Sequence, residues 1–238
     1  IVKYYMDKEL NPKFFNIATP ILAAITYLSA FKNGKPTCDR YLANYFLYIL
    51  TSFSLYIVAV RYYDKNDINL EGPELLIGVV ALILLFIVFL FTDSIAIKHI
   101  SWILIVLILA YMGKRFALLD KEVLQDTLVK LMVILLVCFS IALTYPQFIT
   151  ASVGVALFIG LLFVILFRII DSFYYNKKYD NLISQLAVFV FSGYVIYDTK
   201  RVMDYSKKCK GNADYLTNMS DMFINILNLF ANLSGIED

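Results

Sequence analysis

The chain has 238 residues, 61% hydrophobic and 17% charged, with 21 Lys+Arg against 19 Asp+Glu for a net charge of +2. A mean hydropathy of +0.72 and a charged fraction well below the roughly one quarter of ordinary soluble domains exclude a soluble globular domain and indicate an integral membrane protein. The near-neutral balance argues against a nucleic-acid partner or a polybasic lipid anchor, and the apolar runs are too long and continuous for the alternating strands of a membrane barrel.

A helix needs roughly 20 apolar residues to cross a bilayer. Runs near that length occur at 14–31, 41–60, 75–92, 100–113, 128–145, 149–170, 182–198 and 215–234. The predicted fold is therefore an all-α integral membrane protein, a single polytopic domain over 1–238 with seven to eight transmembrane helices. The bilayer is its expected surroundings, with other membrane proteins as candidate partners. The chain begins at Ile1 rather than Met, so further residues are expected upstream.

The loops are short and carry turn or charge signals: Lys32-Asn33-Gly34-Lys35-Pro36, Asp64-Lys65-Asn66-Asp67, Glu71-Gly72-Pro73-Glu74 and Asn176-Lys177-Lys178. The fourth run begins behind Lys98 and His99 and is short, which implies tilt, snorkelling or partial insertion. His99, the sole histidine, reads as an interfacial residue rather than a ligand. Ser152, Ala156 and Gly160 form a small-residue ridge suited to close packing of a helix within the bundle. Arg168 has Asp171 and Asp221 as candidate partners. Cys38, Cys138 and Cys209 lack metal-ligand spacing and imply neither a zinc site nor a disulfide framework. Basic residues are too evenly divided between the two sides for the positive-inside rule to decide orientation. The dense cluster from Lys200 to Lys210 favours a cytosolic loop between the last two runs.

The last two runs, spanning 182–234, contain the chemistry. Asp198 closes the apolar stretch that starts at Leu182. It either marks the wet end of a helix, paired with Lys200 or Arg201, or points back into the bundle. The final run carries Asn218, Asp221, Asn225, Asn228 and Asn232 at spacings of three, four, three and four. At 3.6 residues per turn these five share one face, a polar stripe on an otherwise apolar helix that is either spanning or re-entrant. A carboxylate near the middle of a bilayer costs about 2.5 to 3.5 kcal/mol even on the lenient insertion scale. By default it faces a cavity, a partner or an ion path. The short connection makes the two helices antiparallel neighbours. Asn218-Met219-Ser220 and Asn232-Leu233-Ser234 match the glycosylation pattern but lie in or against the membrane segment, so they read as packing residues.

Three stretches occur here in order: Ile196-Tyr197-Asp198-Thr199-Lys200, Gly211-Asn212-Ala213-Asp214-Tyr215-Leu216, and Asp221-Met222-Phe223-Ile224-Asn225-Ile226-Leu227-Asn228-Leu229-Phe230. Together they resemble the C-terminal signature of the Bax inhibitor-1 family, the transmembrane Bax-inhibitor-motif proteins, over about the last 60 residues. The resemblance implies a helical bundle with a calcium-permeable pore, a leak from internal stores and suppression of cell death. It places the protein in the endoplasmic reticulum or a related internal membrane, with Ca2+ as permeant ion and no cofactor. It also implies a pH-sensitive latch made by two aspartates, one on each of the last two helices. Asp198 matches the first. The second falls on Asn225, and Asp221, one turn earlier, matches another acidic position found in some members. Two carboxylates within about 4 to 6 Å share a proton, whereas an Asp and an Asn hydrogen-bond without that repulsion. The resemblance thus implies an ion pathway at Asp198, Asp221 and Asn225 with blunted pH gating.

A non-conducting structural membrane protein is the alternative, including one in the inner membrane of a large-virus particle. Abundant Asn, Ile, Lys, Tyr and Phe suit an AT-rich genome of that kind or of a protist. No enzyme is expected. An intramembrane aspartyl protease would need a second catalytic aspartate in a Gly-x-Gly-Asp setting, which does not occur in this sequence.

Overall fold

The computed structural model describes residues 12–68, 73–114, 119–174 and 176–237. Glu71 and Gly72 of the expected turn lie outside the described residues. Those described are helical almost throughout: α1 (Pro12–Ala30), β1 (Phe31–Lys32), β2 (Lys35–Pro36), α2 (Tyr41–Lys65), α3 (Pro73–Phe91), α4 (Ile95–Met112), α5 (Lys121–Thr144), a 3-10 turn (Pro146–Phe148), α6 (Ala151–Phe173), α7 (Lys177–Lys208) and α8 (Tyr215–Glu237). Five helices, α2, α4, α5, α6 and α7, have the length and apolarity to cross a bilayer, while the apolar stretches Phe15–Ala30 and Leu76–Phe91 are shorter. This is an all-α membrane protein. The stripe-bearing α8 is not one of the five.

The strands form a small hairpin with Phe31 opposite Pro36 and Lys32 opposite Lys35. Its turn has positive φ at both Asn33 (53°) and Gly34 (74°). That geometry, which an Asn-Gly pair adopts at low cost, matches the right-handed twist of the flanking strands.

The chain divides into two compact units, one built on α1 to α4 with residues 210–219, the other on α5 to α7 with the residues from 220 onward. In the first, α1 and α2 are joined by a ladder of polar side chains. Thr19 bonds Ser54 at 2.7 Å, Thr26 bonds Thr51 at 2.8 Å, and the Ser29 hydroxyl donates to Asn44 Oδ1. Such bonds contribute about 0.6 to 2 kcal/mol each between membrane helices. Asn44 is fully buried and donates through Nδ2 to the Asp39 carbonyl at 2.9 Å and to Tyr215 Oη at 3.1 Å. Tyr215 in turn donates to the Thr37 carbonyl. On α4, Trp102 Nε1 donates to Ser52 Oγ at 2.9 Å. His99 is half-buried, with Nδ1 2.7 Å from the Ile95 carbonyl and Nε2 2.9 Å from Tyr48 Oη. A carbonyl only accepts, so Nδ1 carries the proton and Nε2 accepts from the tyrosine.

Asp214 starts α8. Its Oδ1 accepts the Thr217 amide at 3.1 Å in the manner of an N-cap, and its Oδ2 meets Lys98 Nζ at 2.8 Å. Lys98 also reaches Thr217 Oγ1 at 3.0 Å. Burial alone would raise the Asp214 carboxyl. The hydrogen bonds from Lys98 and Thr217, with the charge of the Lys98 ammonium, outweigh burial and hold it below the usual carboxylate range.

In the second unit α7 packs against both α5 and α6. The α6–α7 approach runs through glycines, of which Gly160 belongs to the expected ridge, whereas Ser152 and Ala156 are exposed. A Cβ on Gly154 would stand 2.8 Å from the Tyr197 ring, one on Gly193 would stand 2.4 Å from Leu157, and one on Gly160 would stand 3.1 Å from Val190. As the α6 position advances, its α7 partner recedes, which is antiparallel packing. Of the predicted ridge, Gly160 is thus in the contact, while Ser152 and Ala156 are not. Cys138 is a free buried thiol.

Gly154→Leu should lower stability by about 1 to 3 kcal/mol through overpacking. Gly78→Ala, where an added Cβ meets nothing within 4 Å, should raise it by up to about 1 kcal/mol through helix propensity. Thermal unfolding in detergent micelles measures both. The depressed Asp214 carboxyl stabilises the fold fully above its unfolded value near 4, and that contribution is lost as pH falls through the lower folded value. Between about pH 6 and about pH 2 the melting temperature should therefore drop more steeply for the unaltered protein than for Asp214→Asn.

Candidate functional site

Helix α7 runs ten residues past Asp198, to Lys208, because nothing between Gly193 and Gly211 breaks it. Lys200 and Asp204 form an i,i+4 ion pair, and Lys207 and Lys208 sit in the last turn where the helix dipole favours cations. Asn176 caps the other end by accepting the Lys178 amide at 3.0 Å. Of the two readings of Asp198, the one that makes it the end of a helix is therefore excluded. The apolar pattern stops there but the helix does not, and Asp198 lies inside it.

Asp198 is 3% exposed. Its Oδ2 accepts from Asn225 Nδ2 at 2.7 Å, and its Oδ1 lies 3.3 Å from Arg201 Nη2. The same guanidinium nitrogen bonds Asp221 Oδ2. Two carboxylates are thus joined through one arginine, with an amide completing the inner one. A buried carboxylate is tolerated only when paired and hydrogen-bonded. Here both conditions are met.

These groups line a cavity of about 780 Å³ within the second unit. One side is apolar, from residues such as Leu161, Val164, Ile165 and Phe191, and the other is polar, with Asp198, Asp221, Asn225, Asn228 and Asn232. Asn228 Nδ2 donates to the Ile224 carbonyl at 2.9 Å and Asn232 Nδ2 to the Asn228 carbonyl at 2.8 Å. Each amide thus uses one of its two N–H groups on the backbone of its own helix, and the Asn232 oxygen accepts from Arg168 Nη2 at 2.9 Å. Oxygen ligands are what a hard cation such as Ca2+ takes.

The polar stripe does not act as one unit. Its last four members line the cavity, whereas Asn218 donates to Tyr41 Oη at 2.8 Å and to the Asp214 carbonyl at 2.7 Å in the first unit. Arg168 pairs with Asp180 rather than with Asp171 or Asp221. Asp171 instead accepts the Asn176 amide at 3.4 Å. The bridging role of Arg201 was half visible in the sequence, since i,i+3 spacing allows a pair with Asp198. Its second bond, to Asp221 on α8, is a contact between helices that sequence spacing does not encode.

The sequence pattern of the family described as "Inhibitor of apoptosis-promoting Bax1" matches residues 109–236, more than half of the chain. Residues of the chain are 34% identical over 80 positions to an "Uncharacterized membrane protein" of Vibrio cholerae serotype O1, covering 34% of each chain. They are 33% identical over 84 positions to "Protein LIFEGUARD 1" of Arabidopsis thaliana, covering 35% of this chain and 34% of that one. The chain thus matches about one third of the length of these curated relatives.

Asn225→Leu removes the amide donor and leaves a buried carboxylate short of a partner, a loss of about 1 to 3 kcal/mol. Asp198→Asn keeps hydrogen-bonding capacity and should cost less. The order of melting temperatures in micelles, with Asn225→Leu lowest, checks the assignment.

Proposed function

Because the chain belongs to the Bax inhibitor family, the inhibitors of apoptosis-promoting Bax1, we propose that this multi-pass membrane protein is a calcium-permeable leak channel of an internal membrane and suppresses cell death. The observation that carries the reading is a carboxylate, Asp198, at 3% exposure on the wall of a cavity of about 780 Å³. An ionisable group in a membrane helix marks an ion route by default. Asp198 and Asp221 supply the negative charge that draws a cation in, and the oxygens of Asn228 and Asn232 extend the polar lining.

Arg201 sets the resting state of this route. It holds both carboxylates and cancels one of their two charges, so conduction requires the guanidinium to release at least one. Asn225 replaces the second carboxyl with an amide that donates to Asp198 and has no proton to share. The route therefore responds weakly to pH. The endoplasmic reticulum or a related compartment is the membrane this activity serves, because a leak acts on stored calcium.

The Arg201 bridge also favours a second reading. With both carboxylates tied to one guanidinium, the protein is a non-conducting structural component of an organelle or virion membrane. Calcium influx into liposomes holding the purified protein separates the two. For the channel, flux exceeds that of empty liposomes, Asp198→Ala combined with Asp221→Ala abolishes it, and Asn225→Asp makes it steeply pH-dependent. Flux untouched by the double substitution would remove the site assignment, and absence of flux from the unaltered protein would leave the structural reading.

A further inference from the structure

At about 780 Å³ the cavity of the second unit falls within the range of small-molecule pockets, roughly 300 to 1,000 Å³. Its walls are sorted along their length. On α7, the lining residues Phe191, Tyr194, Asp198 and Arg201 follow at spacings of three, four and three, so they share one helix face, with the aromatic rings preceding the charges. Because α6 runs antiparallel to α7, with Gly154 against Tyr197 and Gly160 against Val190, its lining residues Leu161, Val164 and Ile165 stand beside Phe191 and beyond it, away from Asp198. Phe191 precedes Asp198 by seven residues, about 10 Å of helix. The cavity is acidic at one end and apolar past it. The acidic end also carries one negative charge in excess. Asp198 and Asp221 share the single guanidinium of Arg201, while Arg168, farther along, is balanced by Asp180. The Asp221 side chain is 49% exposed, so this end is accessible. Its Oδ2 is bonded to Arg201, and its Oδ1 has no hydrogen bond or ion pair among the described residues.

We propose that this cavity binds a membrane-borne long-chain amine, its ammonium against Asp221 and its chain along Leu161, Val164 and Ile165. One ammonium neutralises the excess charge and donates to the open Asp221 oxygen. The wall that meets the chain belongs to α6, a helix long and apolar enough to cross a bilayer, so the ligand is drawn from the membrane rather than from water. Moving a chain from lipid onto an apolar wall gains little free energy, and selection among amphiphiles therefore falls on the head group. An alcohol brings no charge, and a carboxylate is repelled by the acidic end. The site goes beyond the reading of the cavity as a cation route and does not require that the protein conduct.

The test uses dodecylamine with a photoreactive diazirine at the far end of its chain, beside dodecanol and dodecanoate carrying the same group. Each is added to the protein in phosphatidylcholine nanodiscs at neutral pH, and labelled peptides are identified by mass spectrometry. The amine should label residues 161–169, with half-saturation at a concentration about tenfold below that of the alcohol and lower still relative to the carboxylate. Asp221→Asn should raise the half-saturating concentration of the amine about tenfold, and Arg201→Gln, which removes the competing cation, should lower it by a similar factor. If Arg201→Gln does not remain monodisperse, Asp221→Asn against the alcohol control decides the matter. Equal labelling by the three probes, or labelling by the amine that Asp221→Asn leaves unchanged, would show partition into lipid only and overturn the site. Displacement of the label by an equal concentration of butylamine would assign the site to soluble amines and overturn the membrane-borne ligand. Calcium flux separates this proposal from the channel reading. Selective labelling without flux keeps the ligand site and removes the channel, and flux without selective labelling does the reverse.

Discussion

Burying Asp198 in α7 takes a carboxylate out of water at a cost of about 2.5 to 3.5 kcal/mol on the insertion scale, and much of the second unit is arranged around offsetting that cost. Asn225 must face α7, which fixes the rotation of α8 about its own axis. Given 3.6 residues per turn, this rotation carries Asp221, Asn228 and Asn232 to the same side. Arg201 completes the arrangement from within α7, one turn beyond the aspartate. The position of α8 against α7 is thus specified by polar bonds more than by apolar contact, which has little driving force between helices surrounded by lipid.

The first unit uses the same economy with neutral groups. Thr19, Thr26 and Ser29 meet Ser54, Thr51 and Asn44 in register, so α1 and α2 cannot slide without breaking several bonds at once. Asn44 extends the network to Tyr215, at the first residue of α8. Hydroxyls and amides satisfy each other there without the charge separation present at Asp198, and the cost of breaking them is correspondingly smaller.

The helices themselves were legible in the sequence because apolar runs of bilayer length have few alternatives, and the Asn33-Gly34 turn was legible because only a few residue types accept positive φ. The Asp198–Asn225 pair was approachable from the stripe spacing and from the resemblance of the last two helices to a known signature. Helix ends were not. Hydropathy falls at Asp198 while backbone bonding continues to Lys208, since charged side chains in i,i+4 pairs are good helix formers. Nor could sequence assign Arg168, whose nearest acidic neighbour in the chain is Asp171 but whose partner is Asp180, presented by the next helix. A guanidinium chooses by position in space. The division of the stripe at Asn218 escaped for a similar reason: helical periodicity identifies a shared face, and says nothing about which neighbours meet that face along its length.

α6 is only 6% buried over its most apolar stretch, although Leu161, Val164 and Ile165 line the cavity from that helix. The partition beside the polar lining is therefore a single helix thick, seated against α7 by Gly154 and Gly160 and tethered by Arg168. A bilayer that thins or thickens charges a fraction of a kcal/mol per Å of mismatch to the helices it contains, and here that load falls on a thin panel held at a few points. The shape of the space inside then depends on how this one helix is held as well as on the polar groups behind it.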